Sequence, residues 1–413
     1  MPMSDAVIRW AAWYGDHDLT LEMPPGWTVI PCPPHDGPDI GAVGIAAAFA
    51  NPIGSPTLSQ LAKDRVAPCV VIDDLSRPTP GDRLIPPILA EIALAGIPAE
   101  DVLILAGTAN HRTLTAEDLR KKLGDTVLST CRIAMHFSWN GCEVIGKTDR
   151  GTPVEINSDF LRSDLRILVG SIIPHGATGF SGGAKLLMPG VASIASATAF
   201  HEGSARHGTY ADPQTEARLE SEEAARMAGV DFIVNGIPNS QRGLAAVVCG
   251  DLVAAHRAGA ARAAEVFATP TPLGCDIAVF SLYPKDTEFL QHITALAPWK
   301  TAPAPIVREG GTIVIAAAAT EGLGFHSLFG PGMHLAAGRA TRVRDRDLVF
   351  FAPGMAPGCL PPGTAEETTM FATWEQTRGW LEAKHGPSAR VAVFPCATIQ
   401  LASPGRLDTG RAS

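Results

Sequence analysis

The sequence predicts an α/β protein: two α/β domains with mostly parallel sheets and the active site in the cleft between them. Two observations carry the prediction. Short apolar, β-branched runs alternate with helix-forming runs along most of the chain, the pattern of layered α/β folds. Polar clusters fall just after several of those apolar runs, and in open α/β sheets the carboxyl ends of strands are where ligands bind. At 413 residues the chain exceeds one ordinary core, so two domains are expected.

The elements follow in order. Ile8-Arg9-Trp10 and Leu19-Thr20-Leu21-Glu22 alternate like short strands, and a helix-forming run covers residues 41–50. Cys69-Val70-Val71-Ile72 reads as a buried strand that stops at Asp73-Asp74-Leu75-Ser76-Arg77-Pro78-Thr79-Pro80. Residues 85–95 read as an amphipathic helix, and residues 101–106 as a strand ending in Gly107-Thr108-Ala109-Asn110-His111-Arg112. A helix over 115–123 opens with Thr115 and Asp118 at capping spacing. Residues 167–173 form a third buried strand, ending at Pro174-His175. Helices are expected at 216–227 and 256–267, and strands at 277–282, 311–318 and 391–394, before a polar tail. The Pro/Gly-rich stretch 268–274 is the best linker candidate. It divides the chain into residues 1–269 and residues 270–413.

Composition narrows the function. A net charge of −9 without a long basic run argues against nucleic-acid or anionic-membrane partners. No apolar run reaches membrane-span length and no signal peptide is visible, so the expected location is cytoplasmic. The eight cysteines form no Cys-x-x-Cys pair and read as reduced, buried residues.

The stretch with the densest chemistry is 166–201, where a buried strand leads into Gly176, Gly179, Gly182 and Gly183, then Lys185, a Pro189-Gly190 break and His201. It fails the P-loop pattern because no Ser or Thr follows Lys185. Successive glycine amides could still cup an anion beside Lys185; the plain alternative is a tight turn with a solvated lysine. A continuous helix would hold Lys185 and His201 about 24 Å apart at roughly 1.5 Å per residue, so a shared ligand requires the chain to turn back. His111 and His175 each follow a strand. One histidine alone is more often structural, but two at one crevice could exchange a proton with opposite sides of a substrate. Arg77, on stiff backbone between prolines, suits a carboxylate or phosphate, or a surface ion pair with Asp74. Glu321 and His326 are either site residues or an ordinary loop after a strand.

Together, residues 73–80, 107–112, 174–190, His201, Tyr283-Pro284-Lys285-Asp286 and 321–326 resemble the lactate racemase family over nearly the whole chain. The resemblance implies a nickel-pincer nucleotide, a pyridinium mononucleotide holding nickel through a carbon and two sulfurs. It implies covalent attachment through a thioamide at Lys185 and nickel ligation by His201. Asp74, Leu75, Ser76 and Arg77 would contact the cofactor, Arg77 and Gln291 the substrate, and His111 and His175 would be the acid/base pair. The implied activity is racemisation or epimerisation of a 2-hydroxy acid by reversible hydride transfer, with pincer-nucleotide biosynthetic proteins as loading partners. One departure is expected to matter. Where the lactate enzymes carry a lysine three residues after the glutamine this chain has Thr294, and Leu290 stands in place of a tyrosine. Lactate is therefore not the expected preferred substrate. Two other readings compete: a non-catalytic pincer-nucleotide binding or carrier protein, and a phosphate-ester enzyme with histidine-held metal.

Overall fold

The computed structural model describes residues 5–403 except 205–208, 337–342, 344, 357, 366 and 367. The expected polar tail lies outside the described residues from 404 onward. The chain divides into two compact units, residues 37–264 and residues 1–36 with 265–413.

The unit formed by residues 37–264 is built on a six-stranded sheet. Its order is Leu244–Gly250, Phe232–Pro238, Leu165–Ser171, Pro68–Ile72, Leu103–Ala106, Arg132–Met135. All neighbours are parallel except the outermost pair, Leu244–Gly250 against Phe232–Pro238. Cys69, Val71, Leu105, Leu168 and Ile233 pack into one apolar cluster with Ala184, Leu186, Phe200 and Ala224. The alternating residues Val70, Ile72, Ile104, Ile167 and Val169 are equally inaccessible. Burial on both faces explains why these strands read as continuous apolar runs.

The other unit carries a second six-stranded sheet, wholly parallel, in the order Thr369–Phe371, Asp347–Phe351, Val307–Ala316, Cys275–Ser281, Arg390–Phe394, Thr28–Pro31. This corrects the expected division at residue 269. Thr28–Pro31 pairs in parallel with Arg390–Phe394, and the hairpin Asp5–Trp10/His17–Glu22 buries Ile8, Trp10 and Leu21 against Val279, Val314 and Val393. The first 36 residues thus supply an edge strand and a covering layer to the C-terminal sheet, and apolar burial assigns them there. The linker candidate is also more ordered than its prolines suggest. Ala268–Pro270 pairs with Leu401–Ser403, and the buried Thr269 hydroxyl accepts from Gln400 Nε2 at 3.1 Å.

Local expectations fared well where capping or burial is strong. Thr115 and Asp118 form a reciprocal capping box at the start of helix Ala116–Thr130. The helix Glu216–Met227 matches its expected range. All eight cysteines are unpaired, though Cys131, Cys142 and Cys359 are only partly buried. Among the described residues no helix is long and apolar enough to cross a membrane.

Candidate active site

The strands Leu165–Ser171, Pro68–Ile72 and Leu103–Ala106 are adjacent and parallel, so their carboxyl ends open on the same side of the sheet. The segments that follow them carry His175, Asp74 with Arg77, and His111. The clusters noted separately in the sequence are therefore neighbours.

After Pro68–Ile72, the Asp74 carboxylate is buried and folds back on its own loop. Its Oδ1 accepts from the Ser76 amide at 2.8 Å and from the Ser76 hydroxyl. Arg77 Nη1 donates to Ser76 Oγ at 2.8 Å, and Leu75 is buried beneath. Burial alone would raise the Asp74 carboxyl, but His111, Arg77, the Ser76 bonds and Lys122 together hold it below the ordinary value. His111 Nδ1 lies 3.8 Å from Asp74 Oδ2, with both side chains largely enclosed. The His111 segment is tied down by its Ala109 amide, which donates to the Gly190 carbonyl at 3.0 Å. Arg112 instead serves structure: its guanidinium reaches the capping carboxylate of Asp118 at 2.6 Å.

The glycine segment is fixed from beneath. Gly179 (φ +69°), Gly182 (φ +73°) and Gly183 (φ +54°) occupy left-handed backbone. A Cβ on Gly179 would stand 1.7 Å from the Asp212 carbonyl oxygen. Arg218, fully buried on helix Glu216–Met227, donates to the carbonyls of Gly182 and Phe180, and His256 Nε2 donates to the Ser181 carbonyl at 2.9 Å. One amide of the expected anion cup, that of Gly183, is committed within the fold, as are two non-glycine amides beside it. The Gly183 amide donates to Asn235 Oδ1, Ser181 to the Ile173 carbonyl and Lys185 to the Gly182 carbonyl. Gly179→Ala is expected to lower stability by about 2 kcal/mol or more through strain and the Asp212 clash, measured by urea unfolding.

Lys185 lies in the single turn Gly183–Leu186, between Ala184 and Leu186 of the apolar cluster. Burial first, then the like charges of Arg77 and Arg218, push its amine down to about 7, against the opposing pull of Asp74 and Asp73. An amine in that range is substantially unprotonated at neutral pH and therefore nucleophilic.

The interval to His201 is not one helix. The chain turns at Leu187–Gly190, and Ile194–Ser204 begins a new helix. On it, Phe200 enters the apolar cluster that flanks Lys185. His201 Nδ1 donates to the Ala197 carbonyl at 2.6 Å, so the lone pair of the neutral ring resides on Nε2.

His175 is held at Nδ1. The amides of Ala177 and Thr178 approach it at 3.3 and 3.2 Å, and the Thr178 hydroxyl at 3.0 Å.

Gln291 belongs to the other unit, in a short helical run after Cys275–Ser281, where its Nε2 donates to Glu288 Oε1 at 3.0 Å. Thr294 spends its hydroxyl on the Gln291 carbonyl at 2.8 Å, and Leu290 is buried. Asp286 accepts the Ala11 and Ala12 amides. Burial outweighs these bonds and raises its carboxyl to about 6. Glu321 accepts from the Tyr14 hydroxyl at 2.8 Å, and His326 Nδ1 receives the amides of Leu328 and Phe329. These contacts give Asp286, Glu321 and His326 a structural task within that unit.

Sequence reasoning missed Lys122, Arg218, Asn235 and His256. Lys122 is wholly buried, its ammonium 2.6 Å from Asp73 Oδ1 and bonded to the carbonyls of Asp74 and Arg77. Each stands far along the chain from the loop it holds, within helices or strands of unremarkable pattern, so no local signal marks it.

Comparison with known proteins bears on the family and the fold. Residues 14–211 match the lactate racemase N-terminal domain. The chain is 32% identical over 298 residues to a lactate racemase of Lactiplantibacillus plantarum, covering 69% of this chain and 68% of that protein. A lactate racemase of Thermoanaerobacterium thermosaccharolyticum is 30% identical over 288 residues, covering 68% and 66%. The lactate racemase apoprotein structure from T. thermosaccharolyticum superposes with a TM-score of 0.73 at 22% identity, covering 96% of this chain and all of that one (100%). A Thermotoga maritima protein gives a TM-score of 0.62 at 15% identity, covering 84% and 96%. The two structural likenesses speak to fold, and the sequence relatives to kinship. The chain belongs to the lactate racemase family of isomerases.

Proposed function

We propose that this protein racemises or epimerises a 2-hydroxy acid other than lactate, by reversible hydride transfer with a nickel-pincer nucleotide joined covalently to Lys185. The observation that carries the reading is Lys185 itself: a half-buried lysine on a turn whose neighbours Ala184 and Leu186 belong to the apolar core, its amine brought to about 7 and electrostatically coupled to Asp74 and Arg77.

The residues fit such a group. Lys185 offers an amine ready to form the thioamide, and His201 offers an Nε2 lone pair, a donor suited to nickel. Among the described residues no cluster of three or more His, Cys, Asp or Glu is present, so an ion here would draw its other donors from the prosthetic group. The bound cofactor would supply the hydride acceptor.

The chain's own residues do the remainder. Asp74 to Arg77 form a rigid loop that would orient the cofactor, and the planar Arg77 guanidinium would also hold the substrate carboxylate. His111 would hold or release the hydroxyl proton on one side with the Asp74 carboxylate behind it. His175 would do so on the other, and inversion requires a base on each side. Thr294, whose hydroxyl is already committed, brings no cation where the lactate enzymes carry lysine, which supports a larger or differently polar acid. Loading would require partner proteins that make the nucleotide.

The test is peptide mass spectrometry and metal analysis of protein made alongside a pincer-nucleotide pathway with nickel supplied, followed by chiral chromatography on a panel of 2-hydroxy acids. The expected result is a modification on Lys185, protein-bound nickel, and inversion of at least one acid faster than lactate. An unmodified Lys185 in a host shown to make the cofactor overturns the cofactor assignment. Lactate as the fastest substrate overturns the specificity assignment.

A further inference from the structure

The loops after the central strands hold two lysines, and the fold treats them differently. Lys122 is committed to structure: its ammonium meets Asp73 Oδ1 at 2.6 Å and the carbonyls of Asp74 and Arg77. Among the described residues, Lys185 Nζ has no hydrogen-bond or ion-pair partner, and its side chain is only half-buried, so part of it reaches solvent. Arg77 is similarly uncommitted to a carboxylate. Its Nη1 donates to the Ser76 carbonyl at 3.1 Å and hydroxyl at 2.8 Å, and among the described residues no carboxylate lies within ion-pair distance.

The backbone brings these groups together. Gly170 lies beneath both loops: a Cβ there would stand 2.7 Å from Leu186 Cδ1 and 3.3 Å from Asp73 Oδ2. The Lys185 carbonyl accepts the Gly190 amide at 3.2 Å, and the Gly190 carbonyl accepts the Ala109 amide at 3.0 Å. Burial, then the charges of Arg77 and Arg218, against those of Asp74 and Asp73, bring the Lys185 amine to about 7. A nucleophilic amine coupled to a guanidinium is the pair of groups that a 2-oxo acid calls for. The carboxylate takes the planar fork, and the adjacent ketone carbon takes the amine.

We propose that the protein without its cofactor captures 2-oxo acids as a Schiff base on Lys185, with the acid's carboxylate held by Arg77. The inference rests on the carboxylate-binding role proposed for Arg77 and requires neither nickel nor nucleotide. The unprotonated nitrogen bonds to the ketone carbon, and the bond from that carbon to its oxygen breaks. Both hydrogens of the amine leave with the oxygen as water, so nothing is oxidised or reduced, and hydrolysis reverses the step. A 2-oxo acid is a 2-hydroxy acid that has lost a hydride and a proton. The adduct occupies the amine that the cofactor needs, so unloaded protein would be held closed by the oxidised form of its own substrate class.

The test is reductive trapping. Full-length protein made without the cofactor pathway is incubated with pyruvate and cyanoborohydride at neutral pH, and the alkylated lysines are located by peptide mass spectrometry. Lys185 is expected to be modified ahead of every other lysine, Lys122 included. Methyl pyruvate keeps the ketone and hides the carboxylate as a neutral ester. Relative to the exposed lysines, it is expected to label Lys185 about tenfold less than pyruvate does, and Arg77→Gln should remove most of that preference. Pyruvate labelling confined to exposed lysines, equal labelling of Lys185 by the ester, or a preference unchanged in Arg77→Gln overturns the proposal. If Arg77→Gln does not fold, pyruvate against its ester on the parent protein still decides. Neither nickel nor racemisation is read, so failure of the cofactor assignment leaves this result standing, and failure here leaves that assignment to its own test.

Discussion

Replacing Lys185 by methionine is expected to abolish racemisation while making the protein more stable below pH 7. Both effects come from the same surroundings. The loss of activity should be about 10⁴-fold or more, because no other amine replaces the proposed attachment point. The gain in stability follows from the amine's displacement from 10.5 to about 7, caused first by burial and then by Arg77 and Arg218. Below about pH 7 the lysine is charged in both the folded and the unfolded chain, so the fold bears the full cost of a disfavoured cation. Between pH 7 and 10.5 the unfolded chain binds more protons, and stability climbs as pH rises. Methionine fills similar space without the charge. Urea unfolding of both proteins at pH 6 and pH 10 measures this: the variant should lead clearly at pH 6, with the gap closing by pH 10. A variant less stable than the parent at pH 6 would mean that Lys185 supports the fold instead of being held there against it.

Lys122→Met should do the opposite, costing about 3–5 kcal/mol of stability, the usual result of leaving one member of a buried ion pair alone. The Lys122 ammonium has no exposure to water and reaches Asp73 Oδ1 and the carbonyls of Asp74 and Arg77. Burial lowers its pKa despite Asp73, so the pair is retained against a desolvation cost. Removing the cation strands the Asp73 carboxylate and two loop carbonyls. Lys122→Met combined with Asp73→Asn should recover part of the loss, since the Thr79 hydroxyl, which already donates to Asp73, can serve the amide oxygen. A single-variant cost below about 1 kcal/mol would remove Lys122 from its assigned role of fixing the 74–77 loop.

The sequence made the strands around the site legible because they are buried on both faces. Cys69-Val70-Val71-Ile72 and residues 167–173 admit no charged residue until they end, and each ends at a candidate group. The glycines at 179, 182 and 183 were legible for a related reason, since left-handed backbone selects them. What supports those loops was not legible. Arg218 lies in an amphipathic-looking helix beside Glu216, Glu220 and Glu222, where a surface charge would read the same way; only the fold shows it buried under Phe180 and Gly182. Thr178 is likewise one polar residue in a polar turn until the position of the His175 ring is known. The first 36 residues were misplaced because strand pairing between distant segments leaves no periodicity in either one.

That pairing bears on the order of synthesis. Residues 37–264 form a continuous stretch with their own sheet and core, so everything needed to complete that unit is available as soon as its last helix has been made. The Thr28–Pro31 strand emerges earlier still but must wait for Arg390–Phe394, close to the end of translation. Once the intervening unit has folded, the entropic cost of that wait is smaller than the sequence separation suggests. The amides of His35 and Asp36 bond to the carbonyls of Ala268 and Val266, both at 2.8 Å, so the two chain crossings lie side by side. An early-folding insert of this kind brings the first and last strands of the second sheet together, and Lys185 is in place before the chain is finished.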